Sequence, residues 1–222
     1  MTIRIGVLLS GSGTNFQAIL DAIAAGRLDA KVSVVLSNVS SAGGLERARK
    51  AGIPAIVLDH RRYGSRRDFD AAAVEVLVGH GVEYVVLAGF MRVVTSVLLD
   101  AFPMRVLNIH PALLPAFPGL NAQSQAFAYG VKVSGCTVHF VDQGTDTGPI
   151  IAQAVVPVLR TDDDESLRQR ILRAEHHLLP TVLQWLAEGR VTAKPGGKGD
   201  RPRVVLDGVD GAFIHGSMKE IE

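Results

Sequence analysis

Two polar side chains stand two residues apart in Asn108-Ile109-His110, and both are of kinds that act on a carbonyl. The residues before them, Arg105-Val106-Leu107, include β-formers and no turn signal, which puts Asn108 and His110 at the end of a strand. Side chains alternate along a strand, so the two project from one side. Pro111, Pro115, Pro118 and Gly119 follow within nine residues; they forbid a helix and predict a stiff, exposed bend. An amide donor beside an imidazole, at a strand's carboxyl end, lies where open α/β sheets bind ligands. Such a pair can donate to a developing oxyanion and help move a proton. Taken alone it also fits a hydrogen-bonded turn.

Two other stretches carry chemistry. Ser10-Gly11-Ser12-Gly13-Thr14-Asn15 joins an apolar strand to a helix. Its backbone N–H groups and the positive helix end both favour a phosphate, although a tight structural turn has the same composition. A dinucleotide fingerprint fails, because Phe16 stands where a glycine is needed and the second strand ends in Ser37-Asn38 without an acid. A P-loop fails for want of Gly-Lys-Ser/Thr. What remains is a phosphate or phosphosugar site. Asp146 lies in the loop Asp142-Gln143-Gly144-Thr145-Asp146-Thr147-Gly148-Pro149, where a carboxylate can be aimed at a neighbour or simply close the turn. The seven histidines show no metal-ligand spacing, and adjacent His176 and His177 point about 100° apart on a helix. No serine or cysteine sits in a nucleophile elbow, so Cys136 reads as core.

The elements that position these residues alternate. Apolar β-branched runs at 3–9, 32–36, 55–58 and 84–88 are strands, and the strand ending at His110 is a fifth. Phe16, Ile19, Leu20 and Ile23 mark a helix that Gly26 ends. Further helices fall at 45–51, 68–79 and near 95–102. This predicts an α/β fold, a doubly wound and mostly parallel sheet with helices on both faces. After Gly119 a short helix near 123–129 precedes strands at 135–141 and 150–156. The short loop between these strands makes them antiparallel. A long helix is expected from Thr161, with Thr161-Asp162-Asp163-Asp164 as its capping box and a kink at Pro180. Val204-Val205-Leu206 reads as an edge strand. The division is one domain over 1–190, with halves at 1–103 and 104–190, and a tail over 191–222.

Composition excludes several classes. In 222 residues the net charge is +1, which gives no footprint for nucleic acid or anionic membrane. One cysteine cannot form an internal disulfide or a multi-cysteine metal cluster. Met1-Thr2-Ile3-Arg4 starts no leader, and no apolar run approaches the roughly 20 residues that cross a bilayer. The expectation is a reduced, cytoplasmic protein.

Together the motifs resemble one family. Asn108-x-His110-x-x-Leu113-Leu114-Pro115, with Asp146 in a following Gly-Pro loop, is similar to the folate-dependent formyltransferases. Ser10 to Asn15, Gly44-Leu45-Glu46-Arg47-Ala48, Leu87-Ala88-Gly89-Phe90-Met91-Arg92 and Glu175-His176 resemble the branch that formylates 5-phosphoribosylglycinamide in purine synthesis. The likeness runs from about Ile3 to Trp185. It implies that Gly13, Thr14 and Asn15 hold the phosphate of the ribonucleotide and Glu175 its ribose. It implies that Met91, Arg92, Val93 and Val94 line the pterin pocket of 10-formyltetrahydrofolate, with Arg66, Asn108, Asp142, Gln143, Gly144, Thr145 and Asp146 completing the folate site. Asn108, His110 and Asp146 become the catalytic set, acting without a metal. The implied partners are these two small molecules, with no nucleic acid and no membrane; a homodimer is left open. Relatives often carry histidines after Pro118-Gly119, where this chain has Asn121-Ala122-Gln123-Ser124. Two related activities compete. The formyltetrahydrofolate hydrolases carry an extra N-terminal regulatory domain, whereas the first strand here begins at Ile3. The methionyl-tRNA formyltransferases add a basic C-terminal domain, whereas here only a short tail follows.

Overall fold

The computed structural model describes residues 1–194, 202–208 and 213–215. The chain forms two compact units, divided between Asn108 and Ile109.

The first unit is a β-α alternation. It comprises β1 (Ile3–Leu9), α1 (Thr14–Ala24), β2 (Ala30–Ser37), α2 (Gly43–Lys50), β3 (Ala55–Val57), α3 (Arg66–Gly79), β4 (Tyr84–Leu87), α4 (Ser96–Ala101) and the start of β5 (Val106–His110). A short 3₁₀ turn at His60–Arg62 precedes α3. The strands lie in the order β3-β2-β1-β4-β5, and every pair is parallel. Ile5, Val7, Leu9, Val34, Val35, Val85 and Val86 are fully buried, as expected for strands covered on both faces. Gly6 lets α3 approach β1, since a Cβ there would lie 2.5 Å from Leu77 Cδ2. The chain runs outward from β1 to β3 and then returns to the other side of β1 at β4. That reversal puts the loops after β1 and β4 side by side at the strands' carboxyl ends, where doubly wound sheets take ligands.

The second unit holds the end of β5, α5 (Ala122–Tyr129), β6 (Val133–Phe140), β7 (Ile150–Pro157), α6 (Asp164–Ala187), β8 (Val191–Lys194), β9 (Arg203–Leu206) and β10 (Phe213–His215). β6 and β7 are antiparallel, as the short loop between them required, and β10 adds to β7 in parallel. The apolar stripe of α6, with Leu167, Ile171, Leu178, Val182 and Leu183 buried, packs on β6 and β7.

One expectation needs correction. Helix α6 begins at Asp164, and its capping box is Asp163 with Ser166 rather than Thr161 with Asp164. The reason is Asp162. Its carboxylate accepts from Arg170 Nη1 at 2.6 Å and Nη2 at 2.8 Å and from Leu159 N at 2.7 Å, so it closes the preceding turn. Arg170 above all holds that carboxyl down to about 2. Pro180 lies inside this helix, which runs on to Ala187. The edge strand expected at 204–206 forms, and it pairs with β8 in a separate two-stranded ribbon.

Candidate functional site

In the first unit the loop after β1 is held by its own carbonyls. Gly11 O accepts from Gly44 N at 3.1 Å, Ser12 O from Arg47 Nε at 2.9 Å, and Gly13 O from Gln17 N at 2.9 Å. Gly13 is the N-cap of α1 in the left-handed region, φ 72°, a conformation glycine adopts without cost. No side chain caps this helix. Its first turn therefore presents backbone N–H groups and the positive dipole end, and Thr14 and Asn15 open it.

Ser10 ties that loop to its neighbours. Its N–H donates to Gly89 O at 3.0 Å, and its hydroxyl donates to Asn38 Oδ1 at 2.6 Å while accepting from Met91 N at 2.9 Å. The segment 90–95 is gripped from α3. Arg92 lies 5.0 Å over the Phe69 ring, Phe69 stacks on Phe90, and buried Asp70 accepts from Thr95 N at 2.5 Å and Thr95 Oγ1 at 2.7 Å. Burial pushes the Asp70 carboxyl up, against these hydrogen bonds. Met91 and Val93 remain exposed, at 65% and 48%, while Val94 is buried. Arg66, the first residue of α3, is exposed.

In the second unit His110 and Asp146 meet. His110 is buried, and its Nδ1 lies 3.3 Å from Asp146 Oδ2. On the other side Nε2 lies 2.9 Å from Phe117 O. Since a carbonyl only accepts, Nε2 carries a hydrogen, and both ring nitrogens face oxygen acceptors. The proline-rich bend folds back over the imidazole, with Phe117 and Asn121 in the left-handed region at φ 52° and 55°. Gly119 N donates to Asp146 Oδ2 at 2.8 Å, so one carboxylate is shared between the bend and the histidine. Asp146 itself has φ 54°, a conformation aspartate tolerates better than most residues. Its loop is closed by Asp142, whose Oδ1 accepts from Gly144 N at 3.0 Å and Thr147 Oγ1 at 2.7 Å, leaving Gln143, Gly144 and Thr145 exposed. Asn108 is half-buried two residues before His110 on β5. Glu175 is buried on α6 and is, after burial, the second influence raising the Cys136 thiol.

Several residues here had no sequence signal. His139 on β6 lies with Nε2 3.7 Å from Asp146 Oδ1, while its Nδ1 donates to Phe140 O at 2.9 Å. Its burial lowers the imidazole's proton affinity, opposing the pull of Phe140 O and Asp146. Thr137 pins the bend. Its hydroxyl donates to Ala112 O at 2.7 Å and accepts from Leu114 N at 3.1 Å and Gln153 Nε2 at 3.0 Å. Only the alternation of β6, which turns Thr137 and His139 to one face, could have hinted at them.

These features define an α/β protein of the doubly wound class, with a glycine loop opening a helix in one unit and a histidine–carboxylate pair in the other. The chain belongs to the formyl transferase family, which it matches over residues 3–183. It is 47% identical over 194 residues to the trifunctional purine biosynthetic protein adenosine-3 of Drosophila melanogaster, covering 86% of this chain but spanning only 14% of that protein. It is 42% identical to the phosphoribosylglycinamide formyltransferase of Bacillus subtilis, covering 82% of this chain and 94% of that one. The crystal structure of glycinamide ribonucleotide transformylase 1 from Symbiobacterium toebii superposes with a TM-score of 0.88 at 55% identity, over 92% of this chain and 94% of that one.

Proposed function

We propose that this protein transfers the formyl group of 10-formyltetrahydrofolate to the amine of 5-phosphoribosylglycinamide. Family membership supports formyl transfer, and the bacterial relatives named for this reaction are spanned almost end to end. The open, glycine-lined start of α1 suits the phosphate, held by Gly13, Thr14 and Asn15; for Glu175 the family likeness implies a contact with the ribose hydroxyls. The exposed apolar Met91 and Val93, next to Arg92 and Val94, suit a flat pterin, and the family likeness implies that Arg66 and the loop Asp142 to Asp146 also serve the folate. Both partners are small molecules. Among the described residues no helix is long and apolar enough to cross a membrane.

The observation that carries the reading is the His110–Asp146 pair, with its 3.3 Å separation and an acceptor at each ring nitrogen. The neutral amine attacks the formyl carbon, forming a C–N bond and a tetrahedral centre with a negative oxygen and a positive nitrogen. Asn108 donates to that oxygen without a change of charge. A doubly protonated His110 does so more strongly once the substrate oxygen replaces Phe117 O at Nε2, and Asp146 balances its charge. One proton then leaves the attacking nitrogen, one reaches the folate N10, and the C–N10 bond breaks. The products are the formamide and tetrahydrofolate.

The test is tetrahydrofolate release from 10-formyltetrahydrofolate, measured with and without the ribonucleotide. Release should be slow alone, rise steeply on adding the ribonucleotide, and match formylated product mole for mole. Glycinamide lacking the phosphoribose should be a poor acceptor, because remote contacts position the amine. Equally fast release without the ribonucleotide would make the protein a hydrolase instead.

A further inference from the structure

The stretch Gly44-Leu45-Glu46-Arg47 lies outside every role assigned above, yet it forms the wall behind the glycine loop. A Cβ on Gly13 would sit 2.6 Å from Gly44 Cα, and one on Gly44 would sit 2.3 Å from Leu9 Cδ2, so the first turn of α2 touches the loop backbone directly. An anion site made of backbone needs its N–H groups outward and its carbonyls turned away. Here three successive carbonyls, those of Gly11, Ser12 and Gly13, are each taken by a donor. Two of those donors are backbone N–H groups. The third is a side chain, Arg47, whose Nε donates to Ser12 O at 2.9 Å while Nη1 donates to Gln17 Oε1 at 3.0 Å.

The Ser12–Gly13 peptide is the one most able to turn over. Such a flip changes ψ of the first residue and φ of the second, and glycine at position 13 accepts either sign of φ. A flipped peptide would aim Ser12 O at the phosphate and remove one donor from it.

We propose that Arg47 is a positioning residue for phosphosugar binding, a latch that holds the Ser12–Gly13 peptide with its carbonyl inward and its N–H toward the ligand. The inference rests on the reading of Gly13 to Asn15 as the phosphate site. Guanidinium geometry matters more than charge here, because the fork spans Ser12 O and Gln17 Oε1 together, a reach that a lysine ammonium does not reproduce.

The experiment compares Arg47→Met and Arg47→Lys with the wild-type chain. Ribonucleotide affinity is measured by calorimetry, and KM for both substrates and kcat by steady-state kinetics. Both variants should weaken ribonucleotide binding and raise its KM about 10-fold, the scale of one lost charge-assisted hydrogen bond, with kcat and folate KM nearly unchanged. Arg47→Lys keeps the stem and the charge, so it decides the matter if Arg47→Met fails to fold. Wild-type affinity in Arg47→Lys would overturn the latch in favour of charge alone. An equal loss of folate affinity would overturn it in favour of a general structural role. If the wild-type chain binds the ribonucleotide without formylating it, the activity proposed above falls, while the calorimetric comparison still decides the latch.

Discussion

The loop after β1 offers a ligand backbone N–H groups within a few residues of chain, whereas the surroundings of His110 offer side chains gathered from distant loops. In the first region the contributing atoms belong to consecutive residues, and Gly13 supplies conformation rather than chemistry. In the second, 27 residues separate Gly119 from the Asp146 carboxylate it holds, and His139 approaches the same carboxylate from β6. A backbone-built site has no titrating group of its own and is damaged through conformation. A side-chain-built site is damaged by one truncation and carries pH dependence with it.

The sharpest way to break this contrast is at His110. His110→Ala should lower kcat by about 10²–10⁴ with little change in either KM, as for loss of a positioned acid–base group. Asp146→Asn keeps the size and an acceptor for Gly119 N but loses the charge, and should lower kcat by about 10-fold to 10²-fold. Near-wild-type turnover in folded variants would reduce this region to a structural turn.

The converse change is conformational. Gly13→Val puts a β-branched residue at φ 72° with its Cβ 2.6 Å from Gly44 Cα. One strained residue costs about 1–3 kcal/mol, so the ribonucleotide KM should rise about 10- to 100-fold while folate KM stays nearly constant. If folate binding suffers equally in steady-state assays, the glycine loop is structural and not a ribonucleotide site.

The smallest effect concerns stability. Burial lowers the pKa of His139 in the folded protein below the 6.5 of a free histidine. In that interval the unfolded chain binds a proton that the native protein refuses. Stability should therefore fall as pH drops below about 6.5, by at most about 1.4 kcal/mol per pH unit for this one group. Urea midpoints at pH 7.5 and 5.5 should differ less in His139→Asn than in the wild-type chain. An unchanged difference would mean that other groups govern acid stability.

The alternation of strands and helices was legible because burial imposes a period on each element, and the runs at 3–9, 32–36 and 84–88 are apolar enough to show it. The glycine loop was legible for a related reason, since its function is conformational and glycine declares conformation locally. The N-cap of α6 was misplaced by two residues, at Thr161 instead of Asp163, because four hydroxyl and carboxylate residues in a row all resemble a cap. Only Arg170, eight residues on, selects Asp162 for the turn and leaves Asp163 to the helix.

By itself, then, the sequence determined the parallel α/β order, the strand-end placement of Asn108 and His110, and the stiff bend after them. Each of these follows from side-chain alternation, backbone restriction or hydrophobic period, which act over a few residues. Tertiary structure alone decided that Asp146 serves His110 and Gly119 at once, that Asp70 holds Thr95, and that Arg47 closes on Ser12. Those pairings span tens of residues. A carboxylate or guanidinium has the same local preferences whichever partner it finds, so only the packing of the elements selects among them.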